Sequence, residues 1–216
     1  MPKRRQTVLL CGPARRLLAA VARELARAGL PLVIQAAPAE VPAARRIVAA
    51  LRGGSPIRIV AAALDGDVAS RQLIEAAWKA GSGIDAVVLC VETPADIRVG
   101  DADLDDWQQT LGTGLRAPFF VAKHAGLRMR RGTGRLVVAV DGPGRRAEPM
   151  AAVVRGGLDC LIDVLARALP NVAVAGVFGG RTGSGAVEIG RTVRILVAEQ
   201  ALPSGTIVDL GARRRG

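Results

Sequence analysis

The feature that most constrains the fold of this chain is an alternation of short, β-branched runs with longer Ala-, Leu- and Arg-rich segments of helical period. The short runs are continuously apolar, which indicates strands buried on both faces of a parallel sheet with helices on either side. Right-handed crossovers then give a doubly wound α/β sheet, whose ligand crevice lies beyond the carboxyl ends of the strands. We predict seven strands at about 7–11, 31–36, 57–61, 85–91, 135–141, 172–177 and 205–210, with helices at about 14–29, 39–52, 68–80, 102–131, 150–169 and 187–200.

Length and composition favour a single folded domain over residues 1–216, because the chain is 50% hydrophobic and has no linker, repeat or low-complexity block. The cysteines, Cys11, Cys90 and Cys160, lie in apolar contexts without metal-ligand spacing. We therefore expect reduced core thiols, no metal site and a cytoplasmic location. No apolar run is long enough for a membrane span or a signal-peptide core, so we expect neither export nor membrane insertion.

The charge balance is strongly basic, with 30 Lys and Arg against 19 Asp and Glu and a formal net charge of +11. The basic residues are scattered as pairs and triplets along the chain and form no single stripe. Aromatic residues are 2% of the chain and Tyr is absent, whereas nucleic-acid binders usually offer aromatic side chains for stacking. The composition therefore argues against a nucleic-acid partner and indicates a solvated positive surface.

Landmarks along the whole chain resemble the short-chain dehydrogenase/reductase family in their order and spacing. Residues 11–18 (Cys-Gly-Pro-Ala-Arg-Arg-Leu-Leu) stand where that family has Thr-Gly-x-x-x-Gly-x-Gly. Residues 134–137 (Gly-Arg-Leu-Val) resemble its Gly-Arg-Ile-Val, and 208–211 (Val-Asp-Leu-Gly) its terminal Val-Asp-Gly-Gly. Arg16 at the middle glycine position and Asp141 in place of the family's Ser are most similar to the pteridine-reductase branch. The resemblance implies a Rossmann-like, seven-stranded parallel sheet with helices on both faces.

The same resemblance places the family's catalytic residues on side chains that cannot perform their roles. Its Tyr and Lys fall on Ala151 and Arg155, and its Asn falls on Gly114. Hydride transfer needs a nearby proton donor, and loss of one positioned acid typically lowers the rate about 10²- to 10⁴-fold. A guanidinium is permanently charged and is a poor proton donor. Only Asp141 could serve as an acid, and it equally suits a turn before the Gly-Pro-Gly that follows it.

The cofactor site implied by the resemblance is degenerate too. Glycines let the backbone at a helix N-terminus approach a pyrophosphate, and only Gly12 of the three remains. We expect Leu18, at the third glycine position, to fill the pyrophosphate space or to push the first helix away from its strand. The second strand ends without an acid or a base for the ribose. We expect no bound cofactor, with NADP as the remaining possibility; the candidate contacts are Gly12, Arg15, Arg16 and Asp65.

We interpret the chain as a non-catalytic short-chain dehydrogenase/reductase-like protein that acts as an oligomeric structural or regulatory partner. Its partner would be a second copy or an active relative, bound through the helices at 102–131 and 150–169, which form the dimer interface in the resembled family. One alternative is an NADP-dependent reductase of a pteridine-like or other small carbonyl or imine substrate, using Asp141 and Arg155. Another is a nucleotide- or anion-binding module at the first turn. The apolar residues expected at the partner surface are Leu115, Phe119, Phe120, Leu158, Leu161, Ile162 and Leu165.

Overall fold

All seven predicted strands form, each within one residue of its expected bounds. A computed structural model describes residues 6–51, 54–92, 100–129, 134–142, 149–179, 185–198 and 203–211. The strands are β1 (Val8–Cys11), β2 (Leu32–Ala36), β3 (Ile57–Ala61), β4 (Ala86–Glu92), β5 (Gly134–Asp141), β6 (Val172–Phe178) and β7 (Thr206–Asp209). The helices are α1 (Arg16–Arg27), α2 (Val41–Ala50), α3 (Asp67–Ala80), α4 (Leu104–Leu111), α5 (Ala117–Met129), α6 (Pro149–Ala168) and α7 (Gly185–Ala198).

The strands make one sheet in the order β3-β2-β1-β4-β5-β6-β7, and every pair is parallel. The chain runs outward from β1 to β3, then returns to β4 on the other side of β1. This reversal places the crevice at the carboxyl ends of β1 and β4, where doubly wound sheets bind ligands. At that edge Glu92 of β4 lies beside Asp141 of β5 in the strand register.

The sheet is apolar on both faces because successive side chains of a strand point to opposite sides. Leu9 of β1 and Val87 of β4 contribute to the core beneath α3, α5 and α6. Leu10 and Val88, one residue further along the same strands, contribute to the core beneath α1 and α7. All four side chains are fully buried, which confirms that the continuous apolar runs mark strands covered on both faces.

The single long helix predicted for 102–131 is wrong, because the segment is two helices separated by a π-helical turn. That turn spans Gly112–Arg116 and lies between α4 and α5. Glycine is a poor helix former, and Gly112 and Gly114 weaken the regular ladder at this point. The wider turn also brings the backbone of Gly114 against Val154 of α6, as described below. Periodicity alone did not reveal this break, because both helices keep apolar positions at helical spacing.

The cysteines divide into two environments. Cys11 and Cys90 are buried on the neighbouring strands β1 and β4, and burial raises the pKa of both thiols well above the usual range. These two are therefore protonated core side chains. Cys160 is exposed on α6, so the expectation that it lies in the core is wrong. In the described ranges, no helix is both long and apolar enough to cross a membrane.

Candidate functional site

The turn between β1 and α1 is shaped by Gly12, whose backbone has a φ of +140°. A Cβ at this position would overlap the carbonyl oxygen of Cys90 on β4. The Gly12 N–H donates to the Oε1 atom of Gln35 at 3.1 Å, and the amide Nε2 of Gln35 donates to the carbonyl of Ala62 at 2.8 Å. Gln35 therefore links the turn to the end of β3, a role that we did not predict from the sequence, where the end of β2 was noted only for lacking an acid or a base for the ribose.

Two carboxylates of this chain lie on backbone donors at the start of α1. The Leu17 N–H donates to Oε1 of Glu92 at 3.0 Å, and the Ala14 N–H donates to Oε2 of Glu40 at 3.4 Å. The N-cap residue, Arg15, makes no capping hydrogen bond with its side chain. Carboxylates are favourable there because the free N–H groups of a first turn carry partial positive charge. The acid at the end of β4 thus supplies the cap that the local sequence lacks.

Arg16 and Asp141 contact each other across the mouth of the crevice. The Nη2 atom of Arg16 lies 3.1 Å from Oδ2 of Asp141, whose side chain is only 13% exposed. These are the two residues on which the resemblance to pteridine reductases rests. Arg16 itself is exposed, so the pair contributes little to stability. The contact gives each of the two side chains a polar partner.

Arg155 extends from α6 to residues at the ends of β6 and β7. Its Nη2 atom donates to Oδ2 of Asp209 at 2.9 Å, and its guanidinium lies 4.5 Å from the ring centroid of Phe178. The other Asp209 oxygen, Oδ1, accepts from the Gly211 N–H at 2.9 Å. Arg155 therefore joins α6 to the ends of β6 and β7 through an ion pair and a cation–π contact.

The two remaining positions of the implied catalytic set are enclosed by packing. Ala151 on α6 is 1% exposed. A Cβ on Gly114 would lie 2.8 Å from both γ carbons of Val154, and a Cβ on Gly157 would lie 2.7 Å from Leu115. The π-helical turn and α6 thus pack closely at two points, Gly114 against Val154 and Leu115 against Gly157. A side chain on Gly114 in that direction would require α6 to move.

This packing predicts opposite effects for alanine at two glycines. We expect Gly114→Ala to lower the free energy of unfolding by about 1–2 kcal/mol, because it overpacks a contact that has no space. Gly156→Ala, at a position of α6 where a Cβ meets open space, should raise it by about 0.5–1 kcal/mol through better helix propensity. Urea denaturation of both variants measures the difference. Equal effects of the two substitutions would contradict the close packing.

Two other residues expected at the cofactor site are exposed. Asp65 is exposed after β3, and Arg15 is exposed at the start of α1. Leu18 is fully buried in the core beneath α1, so the first of its two expected effects, that it fills the pyrophosphate space, is wrong. The other, that it pushes α1 away from β1, stays a prediction. Leu18 faces the sheet because it follows the helical stripe that includes Val21 and Leu25. Most of the Gly- and Arg-rich segments at 141–146 and 179–185 lies outside the described residues, which omit 143–148 and 180–184.

The predicted partner surface is partly wrong. Leu158, Ile162 and Leu165 are buried in the core beneath α6, and Leu115 and Leu161 pack against that core. An apolar stripe marks the buried side of a helix as readily as an interface, and here the sheet covers it. The large apolar side chains that are exposed on this side of the sheet are Val68, Leu104, Trp107, Phe119, Leu127, Val153 and Val164.

A second polar cluster joins α3 to α5. Oδ1 of Asp67 lies 2.7 Å from Nζ of Lys123 and 2.9 Å from Nε2 of His124. These hydrogen bonds hold the pKa of Asp67 below its usual range. A carboxylate with a lowered pKa stabilises the fold at neutral pH, and this contribution is lost as the pH falls through that pKa. The only histidine is therefore part of a helix–helix contact.

Comparisons with known proteins agree on the family. The family model described as "Enoyl-(Acyl carrier protein) reductase" matches residues 14–175, and no curated protein matches the sequence. A short-chain dehydrogenase/reductase from Serratia marcescens superposes with a TM-score of 0.83 at 20% identity, over 98% of this chain and 100% of that one.

Two further solved structures show the same fold. A short chain dehydrogenase from Burkholderia cenocepacia, in complex with NADP, has a TM-score of 0.80 at 21% identity, over 95% of this chain and 96% of that one. One from Mycobacterium smegmatis has a TM-score of 0.83 at 17% identity, over 97% and 93%. Because the family model covers most of the sequence, this chain belongs to the short-chain dehydrogenase/reductase family.

Proposed function

We propose that this chain is a non-catalytic member of the family that acts as an oligomeric structural or regulatory partner. The observation that carries the proposal is the enclosed, apolar packing at the catalytic positions. Ala151 has no group that could donate a proton, and Val154 fills the space beside Gly114. The chain has no tyrosine that could reach the site from elsewhere. Reduction of a carbonyl or imine needs such a donor at the acceptor atom.

The contacts of Arg155 support the same proposal. A lysine that lowers the pKa of a neighbouring acid must present an uncompensated positive charge to it. The charge of Arg155 is compensated by Asp209, and its guanidinium faces the Phe178 ring. Arg155 therefore works as a structural residue between α6 and the last strands. We assign it no part in proton transfer.

The exposed apolar side chains on α4, α5 and α6 support an oligomer, with a second copy or an active relative as the partner. Phe119 is 43% exposed and Val164 is 45% exposed. Val153 and Val164 are eleven residues apart on α6, which places them on one face of the helix. A contiguous patch of such side chains would be typical of an interaction site. With its reduced core thiols, the protein suits a cytoplasmic location, which we include in the proposal.

Association through α6 predicts a selective effect of charge on that helix. We expect the wild-type protein to be a dimer or larger by light scattering, and Val164→Asp to shift it toward the monomer. Val187→Asp is the matched control, because Val187 is 42% exposed but lies on α7, across the sheet. A monomeric wild type, in the absence of any relative, would contradict self-association and leave the hetero-oligomer, to be tested by mixing with that relative.

The second candidate function is an NADP-dependent reductase of a pteridine-like or other small carbonyl or imine substrate. The observation that favours it is Asp141, a largely buried acid at the carboxyl end of β5 that contacts Arg16. In this alternative Asp141 would donate the proton. The structural relative from Burkholderia cenocepacia contains NADP, which makes this cofactor the one to test.

Turnover assays distinguish the two candidates. We expect purified protein to oxidise NADPH with pterin, quinone or simple carbonyl substrates no faster than the reaction without protein. Absorbance of the reduced nicotinamide follows the reaction, and an active reductase of the family serves as the positive control. Turnover that disappears in Asp141→Asn would overturn the non-catalytic proposal and establish the alternative.

A further inference from the structure

We propose that Glu92 is an internal anion that occupies the phosphate-binding end of α1, so that the crevice excludes dinucleotides while this carboxylate stays in place. The inference does not depend on whether the chain catalyses a reaction. It concerns which ligands the crevice accepts, and it names Glu92 as the residue that decides this.

The carboxylate of Glu92 lies at the first turn of α1. In Rossmann-like folds a pyrophosphate binds the free N–H groups at the N-terminus of the first helix. Leu17 is the second residue of α1, and its N–H already donates to Glu92 at 3.0 Å. A cofactor phosphate would compete for that donor and would bring a second negative charge beside the carboxylate. Both effects oppose binding.

Other hydrogen-bond donors of the same turn also have partners within the chain. The Gly12 N–H donates to Gln35, the Ala14 N–H to Glu40, and the Arg16 guanidinium to Asp141. The three acids, Glu40, Glu92 and Asp141, come from three separate segments. Because side chains of the chain itself already accept from these donors, the start of α1 in this arrangement does not fit the phosphates of a dinucleotide.

The approach of β4 to the turn explains how Glu92 reaches α1. Gly12 has no Cβ, and its Cα lies so close to the Cys90 carbonyl that a Cβ there would overlap it. Glu92 is two residues further along β4, so its side chain points to the same side of the sheet as that of Cys90. Cys90 belongs to the core beneath α1. Gly12 therefore permits β4 to lie close to the turn, and from the end of β4 the Glu92 carboxylate reaches the first turn of α1.

The test measures binding of NADPH and NADH to wild-type protein and to two variants, Glu92→Gln and Glu92→Ala. Glu92→Gln keeps the size of the side chain and an acceptor for the Leu17 N–H, which protects folding, and it removes the charge. Nicotinamide fluorescence or calorimetry gives Kd. We expect at least a tenfold gain in NADPH affinity for Glu92→Ala and a smaller gain for Glu92→Gln.

Two controls separate the internal anion from a general change in charge. Glu75→Gln removes the same charge from an exposed position on α3 and should leave NADPH binding unchanged. Adenosine has no phosphate, so its binding should be the same in wild type and in both Glu92 variants. An equal gain with Glu75→Gln would overturn the inference, and so would equal NADPH affinity in wild type and both Glu92 variants.

The outcomes for the inference and for the proposed function are distinct. A gain in NADPH binding without NADPH oxidation supports both. A gain with oxidation supports the internal anion and overturns the non-catalytic proposal. The absence of any gain overturns the internal anion and leaves the catalytic question to the turnover assay on wild-type protein.

Discussion

We expect Gly12→Ala to lower the free energy of unfolding by about 2–4 kcal/mol, which is a large fraction of the stability of a typical domain. Gly12 has a φ of +140°, where residues with a Cβ are strained. The new Cβ would also overlap the carbonyl oxygen of Cys90, a backbone atom in a central strand that has no room to move. Strain and overlap act together, so the turn and the end of β4 must separate.

Urea unfolding of Gly12→Ala against wild type measures this loss. Gly54→Ala is the matched control, because a Cβ there meets open space and we expect a change within about 0.5 kcal/mol. The variant should also weaken the contact between Glu92 and α1, since β4 would move away from the turn. A loss of less than about 1 kcal/mol for Gly12→Ala would contradict the close approach of the two strands.

Arg155→Ala should lower the free energy of unfolding by about 2 kcal/mol. Breaking a fully buried ion pair costs about 3–5 kcal/mol, but Arg155 and Asp209 are 17% and 25% exposed, so water screens part of the charge left behind. The lost contact with the Phe178 ring adds about 0.5–1 kcal/mol. Arg155→Lys keeps the charge and should cost less.

A double-mutant cycle with Asp209→Ala tests whether the loss comes from this pair. Removing both side chains should cost less than the sum of the two single changes, because neither charge is then left unpaired. Additive losses would show that Arg155 acts through something other than Asp209. A loss below about 0.5 kcal/mol for Arg155→Ala would contradict its structural role.

The fold was predictable from sequence because a parallel sheet covered on both faces leaves a strong local signal. Strands such as β1 and β4 are apolar at nearly every position, and each predicted strand lies within one residue of its expected bounds. The interruption between α4 and α5 was not predictable from periodicity. Its local signals were Gly112 and Gly114, which a helical pattern often tolerates, and Pro118, which has no backbone N–H and suits the first turn of a new helix.

Packing partners were harder to predict than elements. The buried positions of Leu18, Leu158 and Ile162 follow from which side of each helix faces the sheet, and an apolar stripe does not say what covers it. Leu18 was expected either to fill the pyrophosphate space or to push α1 away from its strand, and its side chain lies in the core. The residues expected at an interface were apolar for the same reason, and only Phe119 among them is exposed.

The candidate site depended on contacts between distant parts of the chain. Glu92 and Leu17 are separated by 75 residues, and Glu40 and Ala14 by 26. The resemblance identified which catalytic groups are replaced, yet it gave no sign of what the replacements contact. An acid at the end of β4, the strand beside β1, is the signal that could have indicated a carboxylate at the first helix turn.

Titration of wild-type protein with NADPH, and separately with NADH, by isothermal calorimetry tests the central claim most directly. The account predicts no binding heat for either dinucleotide at protein concentrations where an active member of the family binds its cofactor. Micromolar binding by wild type would contradict it, because the turn at Gly12 and the start of α1 would then hold a phosphate despite Glu92 and Glu40.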